Sequence, residues 1–296
     1  VVYRDCGQFG FGRVGGVGGV GGARSGENVM NAVTRAYVAG RYGLVHYRMI
    51  RAIGPEVAPP LLCLHQTPSN GFEWMPILPL LARGRVVIAP DTPGYGMSDA
   101  PPEPASIEDL AGVMGEVMTG LVGDRPFDIM GAHTGSILAA ELAVSLGARV
   151  RRLVLFGLAA YEAGERAKRL AAVREKFPRP GADLRHIEQL WAIFGKLGDA
   201  RMTIEQRHVA MAECLRLGER MPWGYYGVYR YDFLAALRAI VQPALVINPQ
   251  DDLWDVTHAT APLLRNGRLW ALPGKAHGFL YFDAPMVAQE INAFLD

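Results

Sequence analysis

Leu61 to Leu64 is wholly apolar, bounded by Pro59-Pro60 on one side and His65-Gln66-Thr67-Pro68 on the other. So short a run with no polar face predicts a strand covered on both sides. Arg85-Val86-Val87-Ile88-Ala89, Phe127 to Met130, Val150 to Phe156 and Ala244-Leu245-Val246-Ile247 repeat the pattern. Ala36 to Val38 and Leu44 to Ile50, separated by Gly40 to Gly43, predict a hairpin. Gly267 to Leu272 predicts an edge strand. Between these runs the apolar period lengthens. Residues 107–121 predict a helix with Ser106 as its cap and Asp109 as the acidic partner. Ile137 onwards predicts a second helix and 257–264 a third; Val287, Ile291 and Leu295 recur at four-residue spacing in a last one over 285–295. A helix over 72–81 is expected to be irregular, because Pro76 and Pro79 fall in it. Strands alternating with helices predict an α/β fold with a mostly parallel sheet.

The alternation stops between Tyr161 and Leu237. Four helical segments are expected there, over 162–177, 184–196, 203–217 and 230–238, with no strand between them. Pro178 to Gly181 and Met221-Pro222-Trp223-Gly224 break the series. The division predicted is a core over 34–160 and 238–296 with an inserted helical cap over 161–237. The cap aromatics Trp191, Phe194, Trp223, Tyr225, Tyr226 and Tyr229 are candidates to line an apolar cavity, with Trp191, Trp223 and Tyr226 the expected substrate contacts. Residues 1–33 are expected to be a disordered Gly-rich leader. Their glycines end in no Gly-Lys-Ser/Thr, follow no strand and lack the pattern of a signal peptide.

Charge narrows the function classes. Lys and Arg total 30 against 29 Asp and Glu, a net charge of +1, which points to neither nucleic acid nor a membrane surface. Three cysteines, Cys6, Cys63 and Cys214, make no disulfide framework and suit a reducing, cytoplasmic setting. The expected partner is a small molecule, with the chain a monomer or homodimer.

Chemistry concentrates at one turn. Phe127 to Met130 leads into Gly131-Ala132-His133-Thr134-Gly135-Ser136, and an apolar helical pattern begins at once. Two glycines around one central residue, between strand and helix, are the pattern of a nucleophile elbow. With Leu64-His65, Asp91-x-Pro93-Gly94-x-Gly96-x-Ser98, acids at 251 and 252, and His277, all in order, the region from Tyr37 to Leu295 resembles the alpha/beta-hydrolase superfamily. The likeness is to its cap-bearing branch of esterases, epoxide hydrolases and haloalkane dehalogenases. It implies a mostly parallel eight-stranded sheet flanked by helices.

The resemblance also implies roles. His133 falls at the nucleophile position, Asp252 (with Asp251 as alternate) at the acid, and His277 at the general base. Backbone N–H groups of Thr67 and Thr134 are the expected oxyanion hole. Gln66 stands where the family usually has glycine, and its amide is a candidate substrate contact. A serine, cysteine or aspartate is the ordinary elbow residue. Histidine there admits attack by imidazole on an activated acyl group, base catalysis on water, lyase or isomerase proton transfer, or an inactive ligand-binding site. A further reading makes Thr134 or Ser136, the other hydroxyls at the turn, a displaced nucleophile. No cofactor is expected. No metal is expected either; His65, His133, His277 and Asp252 all end strands on one side, but their spacing matches no metal signature.

Overall fold

A computed structural model describes residues 32–177 and 179–296. All but the last two residues of the expected leader lie outside it. The chain opens with a hairpin of β1 (Thr34–Gly40) and β2 (Gly43–Ile50), Val38 opposite Val45. Then follow β3 (Leu61–Leu64), a 3-10 turn at Gly71–Trp74, α1 (Leu78–Leu81), β4 (Val87–Pro90) and α2 (Ile107–Val122). β5 (Phe127–Ala132) runs into α3 (Thr134–Leu146), and β6 (Val150–Phe156) ends the first half of the core. Next come α4 (Ala163–Lys176), α5 (Arg185–Leu197), α6 (Ile204–Leu215), α7 (Trp223–Arg230) and α8 (Phe233–Ala239). The core closes with β7 (Ala244–Pro249), α9 (Trp254–Thr260), β8 (Gly267–Leu272) and α10 (Leu280–Leu295).

The eight strands form one sheet in the order β1-β2-β4-β3-β5-β6-β7-β8. β2 is antiparallel to β1 and β4; the pairs from β4 to β8 are parallel. Successive strand residues serve opposite faces, as a period of two requires. Leu62 and Leu64 join Ile107, Val113, Ile137, Leu138 and Phe233 under α2, α3 and α8. Leu61 and Cys63 join Trp74, Leu78, Val287 and Ile291 under α1 and α10. α4 to α7 form a cap with its own apolar cluster, including Phe177, Leu190, Met211, Cys214 and Met221, whereas α8 packs on the sheet.

Three local expectations are corrected. The irregular helix over 72–81 is two pieces, a 3-10 turn capped by the Asn70 side chain and the single turn α1, with Pro79 in that turn's opening positions. The break at 221–224 is where α7 begins, so five α-helices, not four, lie between β6 and β7 among the described residues. The last helix starts at Leu280 and carries Pro285 inside it.

Two buried carboxylates organise the frame. Asp91, after β4, receives Arg48 at 2.7 Å, His46 Nδ1 at 2.8 Å, and the Gly71 and Met97 amides at 2.9 Å. Burial favours its neutral form, but Arg48 and the Met97 and Gly71 amides outweigh that and hold its pKa below the usual carboxylate value. Asp128 in β5 receives Arg85 at 3.3 Å and Arg151 at 3.1 Å. A polar residue at the start of the apolar strand β6 is thereby accommodated.

Candidate active site

The elbow is a backbone device. β5 ends at Ala132, α3 begins at Thr134, and His133 between them has φ 50° and ψ −106°. A positive φ in a non-glycine residue stores strain that its surroundings must hold. The His133 N–H donates to Phe156 O at 2.8 Å, and His133 O accepts Ser136 N–H at 3.0 Å. The flanking glycines are needed for space. A Cβ on Gly131 would lie 2.2 Å from Gly135 O, and one on Gly135 would lie 2.0 Å from Leu64 O. Ser136 is fully buried, with its hydroxyl 2.8 Å from Gly131 O and 3.1 Å from Phe156 O. It is a structural donor and not a displaced nucleophile.

Each histidine of the site has its own carboxylate. His133 Nε2 lies 2.9 Å from Asp251 Oδ2, and His277 Nε2 lies 2.9 Å from Asp252 Oδ1. The rings are 4.9 Å apart between centroids, inclined at 54°. Asp251 is the buried acid, and its other oxygen accepts the Leu253 N–H at 2.8 Å. Asp252 is 40% exposed. The family pattern expects one acid, one histidine and one nucleophile in a row. Here the adjacent acids divide between two imidazoles, and no hydrogen bond joins His133 to His277 among the described residues.

Burial opposes the charged form of His133, yet the Asp251 carboxylate beside it raises its pKa above the ordinary histidine value. Burial likewise favours the neutral Asp251, but His133 outweighs it and lowers that pKa. For Asp252 the burial effect is outweighed by the hydrogen bond from His277 and by charge on both rings, and its pKa falls well below the carboxylate range.

The four groups open on a cavity of about 240 Å³ between core and cap, also lined by Gln66, Thr67 and Thr134. Thr134 is the first residue of α3, so its N–H has no acceptor within the helix. The Thr67 amide donates to no protein group among the described residues. The cap holds this segment in place. Tyr225 Oη donates to Thr67 O at 2.8 Å, and Gly224 packs so closely that a Cβ would lie 2.4 Å from Thr67 Oγ1. The cap grips His277 as well. His277 O accepts Asp199 N–H at 2.8 Å, and its N–H donates to Leu197 O at 3.3 Å.

Of the expected substrate contacts, Gln66 lines the cavity, whereas Trp191, Trp223 and Tyr226 do not. Helical period explains Tyr226: on α7, Tyr225 and Tyr229 share the inward face four residues apart, and position 226 lies about 100° around from 225. Tyr226 instead sits between Arg174 and Arg230, and Trp191 under Arg207. Phe177 stacks on Tyr225 at 4.8 Å and joins the lining. His65 is outside the cluster. Its Nδ1 is 2.8 Å from Gln66 O, its Nε2 accepts the Thr92 N–H at 2.8 Å, and burial lowers its pKa. That pattern fixes a neutral, structural imidazole.

Two cavity groups escaped the sequence reading. Glu73 accepts the Gln66 N–H at 3.0 Å through Oε1, while Oε2 is buried with no partner. Burial raises its pKa to about 8, against the pull of the Gln66 amide. Only its place on the inner side of the 3-10 turn marks it, and no residue pattern signals that. Cys214 also lines the cavity, but burial pushes its thiol up to about 12, leaving no thiolate for attack.

Sheet order, elbow and cap define a protein of the alpha/beta-hydrolase fold. Residues 59–190 match the family described as alpha/beta hydrolase fold. A haloalkane dehalogenase of Psychrobacter cryohalolentis is 49% identical over 49 residues, 16% of this chain and 16% of that protein. The 2-hydroxy-6-oxo-2,4-heptadienoate hydrolase of Pseudomonas putida is 35% identical over 86 residues, 29% of this chain and 31% of that protein. The match thus spans under a third of each of these curated relatives. Among solved structures, a thermophilic esterase from Thermogutta terrifontis superposes with a TM-score of 0.70 at 21% identity, over 88% of this chain and 98% of that one. No described helix is long and apolar enough to cross a membrane.

Proposed function

We propose that the chain hydrolyses small apolar or aromatic ester-like substrates beneath the cap, using two histidine–carboxylate pairs and no covalent intermediate. The observation that carries this is the separate pairing, His133 with Asp251 and His277 with Asp252, each at 2.9 Å. In neutral His133 the Nε2–H donates to Asp251 Oδ2, which leaves the lone pair on Nδ1. That nitrogen removes a proton from water, and the water oxygen bonds to the substrate carbonyl carbon. The Thr67 and Thr134 amides stabilise the resulting oxyanion. The C–O bond to the leaving alcohol then breaks, the alkoxide takes a proton from His277, which Asp252 orients, and the proton gained by His133 replaces it across the facing rings.

An apolar wall of Phe177, Leu190, Phe194, Tyr225 and Tyr229 supports a small apolar acyl or aryl group. The names of the dehalogenase and the heptadienoate hydrolase also support a small-molecule substrate. The test is turnover of 4-nitrophenyl and phenyl esters. His133→Ala should cost about 10²–10⁴ in kcat/KM while the protein stays folded. An unchanged rate in that variant removes His133 from the mechanism. Rapid-quench mass spectrometry should find no acyl adduct; an adduct on His133 would replace the base with a nucleophile.

A further inference from the structure

The same four side chains present a second kind of chemistry. His133, Asp251, Asp252 and His277 each offer one donor atom, and all four atoms lie within 4.8 Å of one another. A divalent first-row ion holds imidazole nitrogen and carboxylate oxygen at about 2.0–2.2 Å. In octahedral coordination its donors then stand roughly 3 Å apart at neighbouring positions and about 4.2 Å apart at opposite ones. The two observed N···O separations of 2.9 Å already match neighbouring positions. The widest span needs a closure of about half an ångström, within the reach of side-chain torsions on Asp252, which is 40% exposed.

We propose that this cluster is a binding site for a divalent transition-metal ion, with two imidazole and two carboxylate ligands. Two nitrogens and two oxygens are an intermediate donor set, suited to zinc, cobalt, nickel or iron(II), not to calcium or magnesium. The anchoring is that of a ligand set. The elbow backbone fixes His133, the Leu253 N–H orients Asp251, and the cap backbone at Leu197 and Asp199 fixes His277. The cavity leaves one side of the cluster open, where an ion takes an oxygen donor: water, a carbonyl or a carboxylate. The site gives the elbow histidine a use that serine there could not supply. It rests on the four side chains and not on the hydrolytic reading.

The test is a titration of the full chain, freed of metal by chelator, with Co²⁺ followed by calorimetry and visible absorption. The expected result is one equivalent bound at micromolar Kd or tighter, with ligand-field bands that Zn²⁺ abolishes. His133→Ala and His277→Ala should each weaken binding at least tenfold. In the unaltered protein, proton NMR should show paramagnetically shifted imidazole signals from two histidines. The absence of stoichiometric binding, binding indifferent to both variants, or shifted signals from fewer than two histidines overturns the site. Ester turnover by the ion-free protein is scored separately. Its presence keeps the two-pair mechanism whatever the titration gives, and binding without turnover keeps the ion site while that mechanism falls.

Discussion

At the scale of single residues, Glu73 is the group with the largest consequence outside the two histidine–carboxylate pairs. Its pKa of about 8 means that the folded chain keeps a proton that the unfolded chain has lost above the ordinary glutamate value. The unfolded state then binds fewer protons, so stability falls as pH rises from about 4.5 towards 8 and levels off above. Glu73→Gln keeps the shape and removes the proton equilibrium. Relative to the parent, the variant should gain on the order of 2–4 kcal/mol between pH 5 and pH 8. Urea midpoints across that range check it; parallel curves for the two proteins would show that Glu73 ionises freely when folded. Residues of this kind are hidden from sequence. His133 and His277 stand in motifs, but the split of Asp251 and Asp252 between them depends on where two neighbouring side chains point. Among the cap aromatics, helical period separates Tyr225 and Tyr229, which line the cavity, from Tyr226, once the Gly224 region is taken as a helix and not as a loop.

At the scale of elements, the strand, turn and helix around 133 and the loop after β4 set the frame. Gly135→Ala would put a methyl 2.0 Å from Leu64 O, a backbone atom in the middle of the sheet. We expect a loss above about 4 kcal/mol or failure to fold, measured by denaturant unfolding. Asp91→Asn leaves Arg48 buried without its carboxylate and should cost about 3–5 kcal/mol. The parent should show the matching acid limb. The pKa of Asp91 is depressed in the folded state, so its contribution is present above the unfolded value of about 3.9 and is lost as pH falls through the folded one. Acid unfolding that is identical in Asp91→Asn and the parent would contradict this. The elements themselves were legible because short, wholly apolar strands and capped helices follow local rules. The cap was less so, since Met221-Pro222-Trp223-Gly224 carries turn residues that tertiary packing against Tyr95 and Thr67 recruits into a helix start.

At the scale of the molecule, cap and core share one site. Arg201, after α5, binds both Asp199 of the cap and Asp283 of α10, at 2.8 and 2.5 Å. Asp199 in turn donates its amide to His277 O. Arg201→Ala therefore loosens the loop that presents His277 without touching the cavity wall. The expected effect is about a tenfold fall in kcat with KM little changed. A rise in KM at constant kcat would mean instead that the cap positions substrate and not the histidine.

The hydrogen bonds that hold the backbone at position 133 use no atom of its side chain. Its geometry comes from Gly131, Gly135, the Phe156 carbonyl and a buried Ser136 hydroxyl. The turn is thus a socket with an exchangeable head. A saturation library at 133 should separate abundance from activity, with many residues accumulating as folded protein and few retaining turnover, whereas at 131 and 135 the two readouts fall together. Such a socket lets a lineage trade one reaction chemistry for another in a single codon change, with the scaffold left standing while the new head is tried.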